Sequence, residues 1–92
     1  MTLERLGARI DIGPVEIDGW RYDLYLVTAC GADTVTVDVR GIQPSRVGTV
    51  VNPGCPTAED LHLAEPMHTA RKDQYGAQIV AAVRSAYIAR RP

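Results

Sequence analysis

The chain has 92 residues, 46% of them hydrophobic and 23% charged, enough for one domain and too few for a second independent core. Ten basic against eleven acidic residues give a net charge of −1, which excludes a strongly basic nucleic-acid-coating protein and an all-acidic decoy. No apolar run approaches the ~20 residues that span a bilayer, and the first residues hold no apolar secretory core, so the expectation is a soluble cytoplasmic domain without membrane contact.

The first half alternates with the period of half-buried strands. Ala8, Ile10 and Ile12 alternate with Arg9 and Asp11. Gly13-Pro14 interrupts the pattern, and Val15 and Ile17 resume it shifted by one residue. A bend there puts both apolar sets on one face, and Pro14, which lacks a donor, points to an edge strand. Asp18-Gly19 is a two-residue type I′ hairpin signal. The return strand, Trp20 to Thr28, sets Trp20, Tyr22, Leu24 and Leu26 inward and Arg21, Asp23, Tyr25 and Val27 outward. Ala29 to Asp33 reads as a short loop. Thr34 to Arg40 alternates again, with Val35, Val37 and Val39 inward, and its β-branched content suits a central strand. Val47 to Val51 reads as a fourth short strand.

Asn52-Pro53-Gly54-Cys55-Pro56, residues 52–56, is the breaker that switches the chain from strands (about 8–51) to helices. A short helix is expected over about 57–65, with Thr57 as its cap, Glu59 and Asp60 in its first turn and Pro66 ending it. A long helix follows over about 69–90. At about 100° per residue, Tyr75, Ile79, Val80, Ala82, Val83, Ala86 and Tyr87 fall in one apolar arc of about 160°. Gly76 lies inside the arc, the mark of a close approach, and Ile88 lies outside it. The predicted fold class is α+β: a three- to four-stranded antiparallel meander packed on one face by a C-terminal amphipathic helix, with a short preceding helix. One covered face explains why the strands alternate rather than run solidly apolar.

Charge is unevenly placed. Residues 1–68 hold five arginines against ten acids, −5, and residues 69–92 hold five basic residues against Asp73, +4. Such a split favours complementary docking or a contact between copies.

Reactive groups are few and scattered. Cys55 precedes the expected short helix, a place that can activate a thiol, and a turn cysteine is the plainer reading. Cys30 and Cys55 either pair or stay free, and a chain without an export signal favours reduced thiols. Cys30, Cys55, His62 and His68 are zinc-ligand types, but the cysteines stand 25 positions apart and lack the close-pair spacing of zinc modules. His62 reads as a surface histidine, and no phosphate-cradling glycine motif is present. No catalytic residue, metal or cofactor is therefore assigned, and the reading leans away from an enzyme.

The expectation is a small non-enzymatic binding or regulatory module acting through protein contacts with itself, as a homodimer, or with another protein. Its candidate contact residues are Arg21, Tyr25, Val27 and Ile88. The alternative is a nucleic-acid-binding protein using Arg71, Lys72, Arg84, Arg90 and Arg91 of the C-terminal helix, sequence-blind and salt-sensitive.

Overall fold

A computed structural model describes residues 9–29, 31–41, 45–64 and 69–90. Its elements are β1 (Arg9–Asp11), β2 (Val15–Ile17), β3 (Trp20–Ala29), β4 (Ala32–Arg40), β5 (Ser45–Val51), a 3₁₀ turn (Ala58–Asp60), β6 (Leu61–Leu63) and α1 (Thr69–Arg90). The strands form one antiparallel sheet in the order β1-β3-β4-β5-β6, with β2 also paired to β3. The architecture is α+β, as the sequence pattern implies.

The N-terminal edge is one bent strand. β1 and β2 pair with successive stretches of β3, Ile10 opposite Leu26 and Ile17 opposite Trp20, so both apolar sets face the same side. The bend between them contains a cis Gly13-Pro14 bond. Asp18 and Gly19 both have positive φ, 52° and 83°, the geometry that lets a two-residue turn follow the twist of its strands. β3 and β4 then run together without a break, from Arg21 opposite Arg40 to Ala29 opposite Ala32.

The strand count and the short helix need correction. Among the described residues there are six strands in five positions across the sheet, not three or four. The helix expected over 57–65 is a single 3₁₀ turn that hands over to β6. The Thr57 amide donates to the Asp60 carboxylate at 2.7 Å, so the capping residues act as expected on a shorter element. Leu61 and Leu63 then alternate about His62 and pair with β5. That pairing is close. β5 carries a bulge where Arg46 opposes Asp38 and Gly48 opposes Val37, leaving Val47 as the extra residue. A Cβ on Gly48 would lie 3.1 Å from both the His62 carbonyl carbon and Leu63 Cα, so only glycine fits.

α1 covers the inner face. Ile79, Val80, Val83 and Tyr87 are buried against Tyr22, Leu24, Val35, Val37, Val50 and Leu61, with Tyr75, Ala82 and Ala86 packed at the margin. Gly76 is buried, as its place on the arc implies. Two hydroxyls pin the helix to turns at opposite ends of β3. Tyr75 donates to Asp18 Oδ2 at 2.8 Å, and Tyr87 donates to Asp33 Oδ2 at 2.6 Å. Trp20, expected inward, is 45% exposed at the start of β3.

Candidate functional site

The other face of the sheet has nothing packed on it among the described residues. Strand register lays its side chains out in cross-strand rows. Arg9, Val27, Thr34 and Val51 form one row. Asp11, Tyr25, Thr36, Thr49 and His62 form the next. Asp23, Asp38 and Arg46 follow, and Glu16, Arg21 and Arg40 close the series.

The upper two rows are mostly uncharged, β-branched or aromatic. Thr36 is buried although its register sets it on this face. The Arg9 guanidinium stacks on the Tyr25 ring, 4.2 Å from its centre, which fixes both side chains at the face. The lower two rows are ionic and layered. Asp23 was expected to stand in solvent with the outward residues. Instead its side chain is 8% exposed, while those of Arg21 and Arg40 are 47% exposed. Arg40 donates from Nε (3.1 Å) and Nη2 (2.9 Å) to Asp23 Oδ2, and Arg21 donates from Nε to Oδ1 at 3.5 Å. Beside them Arg46 Nε donates to Asp38 Oδ1 at 2.6 Å. Asp23 and Asp38 lie beneath Arg21, Arg40 and Arg46, so these guanidinium groups share the solvent side of the two rows with the exposed Glu16.

Of the expected contact residues, Arg21, Tyr25 and Val27 share this face, and Ile88 does not. Ile88 lies on α1, on the other side of the sheet, and is 44% exposed. Its position off the apolar arc accounts for that exposure. Sequence reasoning did not single out Arg40, Arg46, Asp23 and Asp38 as a set. The signal was available: Arg21-Tyr22-Asp23 and Asp38-Val39-Arg40 are mirror images on neighbouring antiparallel strands, brought together by the β3–β4 register.

The basic set on the helix is less convergent. Arg84 and Arg90 are exposed, and they stand about 120° apart around the helix axis. The side chains of Arg71 and Lys72, and residue Arg91, lie outside the described residues.

The groups weighed for chemistry are dispersed. Cys55 is exposed with a free thiol. Asn52 accepts the Cys55 amide and donates Nδ2 to the Cys55 carbonyl, a turn held without the sulfur. His62 is exposed at the far edge of the sheet. Among the described residues no group of three or more His, Cys, Asp or Glu is placed to hold a metal ion, and Cys30 and His68 lie outside them. A shallow cleft of about 510 Å³ at the Tyr87 end is lined by Gly31, Ala32, Asp33, Asn52, Pro53, Gly54 and Tyr87, with neither thiol nor imidazole in that lining. Asp33 there takes hydrogen bonds from Thr28 and Tyr87. Among the described residues no helix is long and apolar enough to cross a membrane. No protein-family model, curated protein or solved structure matches this chain.

Proposed function

We propose that the chain is a small non-enzymatic, cytoplasmic interaction module that works through the open face of its sheet and associates with a second copy of itself. The observation that carries this reading is the layering of that face. It presents Tyr25 and three half-exposed arginines, residue types enriched where proteins meet, over acids already paired beneath them. Size supports it. Five strand positions about 4.8 Å apart and about 25 Å long give roughly 600 Å², the lower end of what each partner contributes to a stable interface. Charge supports it too. The face carries Arg9, Arg21, Arg40 and Arg46 against Asp11, Glu16, Asp23 and Asp38, so two copies can approach without net repulsion. A domain of this size buries only about 60–65% of its unfolded surface, and a second copy extends its core.

Sedimentation equilibrium tests this. The chain at tens of micromolar is expected to sediment above its 10.0 kDa monomer mass. Tyr25→Glu returns it to the monomer, and Ile88→Glu leaves it associated. A monomer mass at every concentration removes self-association.

A further inference from the structure

Strand register makes the open face a grid, with β4 in the middle of its five strand positions. Two kinds of two-fold axis in the plane of the face lay one copy over another, one along β4 and one across the strands. The axis across the strands turns the rows end for end. It sets Val27 over Arg21, Thr34 over Arg40 and Tyr25 over Asp23, uncharged groups on charges, and brings Arg9 over Glu16 as its one complementary pair. The axis along β4 keeps each row on itself and exchanges β3 with β5 and the β1–β2 edge with β6. It sets Val27 over Val51, Tyr25 over Thr49, Asp23 over Arg46 and Asp11 over His62. Asp38 and Arg40 lie on the axis, where each Arg40 can turn one row toward the other copy's Asp38. Glu16 and Arg21 stand side by side in the last row and cancel in charge. Face-to-face self-complementarity therefore belongs to the axis along β4.

We infer that two copies pack face to face with their strands aligned about a two-fold axis along β4, and that Asp11–His62 contacts between the copies make this pairing stronger in acid. This rests on the reading of the open face as a self-contact surface, and names its geometry and its regulation. Asp11 and His62 are both exposed, at opposite edges of the sheet. Four strand steps, about 19 Å, separate them within one copy, so they meet only between copies. Asp11 accepts the Gly13 amide at 3.1 Å, and neither residue has an ion pair among the described residues. Two aligned sheets lie about 10 Å apart with strands within about 30° of each other, close enough for these side chains to touch. Histidine gains its charge between about pH 8 and pH 5, and the two-fold axis supplies the contact twice. The charged groups around His62 are Arg46, Glu59 and Asp60 of its own copy and Arg9 and Asp11 of the other. Three acids against two arginines favour the protonated imidazole.

The test is sedimentation equilibrium of the full chain at about pH 5 and about pH 8, at one ionic strength. The dimer dissociation constant is expected to be about fivefold lower at the acid end, from two exposed ion pairs per dimer. His62→Gln removes the difference while keeping the chain's other histidine, His68. Asp11→Asn removes it too and keeps an oxygen for the Gly13 amide. The double variant goes no further than either single one, because both act on one contact. Isotope-filtered nuclear Overhauser spectra of a mixed labelled and unlabelled sample read the axis. They should join Val27 of one copy to Val51 of the other, two strands apart within a copy. The inference is overturned if association ignores pH or weakens in acid, if both single variants keep the full pH difference, or if Val27 meets Arg21 across the interface. A dimer that Tyr25→Glu dissociates but that ignores pH leaves the contact surface standing and overturns this docking alone. A monomer at every concentration and both pH values overturns both.

Discussion

Gly48→Ala should be among the most damaging single-methyl changes the chain can suffer. The added Cβ would meet the His62 carbonyl carbon and Leu63 Cα at 3.1 Å, with the His62 oxygen nearer still. Carbon atoms rest at about 3.5–4.0 Å. All three neighbours are backbone, so no side-chain rotation relieves the contact and β5 must part from β6. Three register pairs join these strands, and the Ala64 amide donates to the Val47 carbonyl at 2.9 Å beyond them. Leu61, 1% exposed, is carried into the core by the same strand. Overpacking with a backbone shift costs about 1–3 kcal/mol, and partial loss of Leu61 packing takes the expected figure to about 3 kcal/mol. A domain of this size has about 5–14 kcal/mol in hand. The midpoint of thermal unfolding should therefore fall by roughly 12–24 °C. Urea unfolding followed by circular dichroism measures the change. Gly54→Ala is the control, because its Cβ would meet only Tyr87 Cε2 at an ordinary 3.6 Å. If the two variants unfold together, or if Gly48→Ala lies within about 0.5 kcal/mol of wild type, the close β5–β6 approach is not what holds that edge.

Other changes probe the helix seat and the ionic rows. Val83→Ala removes two methyl groups from a fully buried site under the helix and should cost about 2 kcal/mol in urea unfolding; an unchanged midpoint would place the helix elsewhere. Tyr87→Phe deletes the hydroxyl that donates to Asp33 and should cost about 1 kcal/mol, read from the same melts. Asp23→Asn leaves Arg21 and Arg40 facing each other without a charge between them, and should cost about 2 kcal/mol. Added salt should recover part of that loss by screening the repulsion, whereas an unchanged stability would mean the buried acid does not hold the pair.

What could be read from the sequence was whatever a single element decides. The apolar arc of α1 is set by helical period alone, and each of its members is buried or packed at the margin of the core. The Gly13-Pro14 bend and the Asp18-Gly19 turn rest on local backbone chemistry and are found where expected. Misreadings occur where two elements decide together. β6 has three residues, too few to display a period, and follows a sequence with good helix-capping chemistry; its strand character comes from the bulge and glycine of β5. Asp23 alternates outward as expected, but its burial depends on Arg40, 17 positions away and adjacent only through the β3–β4 register. The same dependence hid the guanidinium rows, because no stretch of chain contains them.

The central claim is that the uncovered sheet face, rather than the helix, is the working surface. Backbone amide spectra of the wild-type chain recorded from low micromolar to millimolar concentration test it most directly. The account predicts concentration-dependent shifts at Tyr25, Val27, Thr36 and Thr49, with Arg84, Ser85 and Ile88 unmoved. Shifts confined to those three helix positions, with the sheet amides constant, would contradict it.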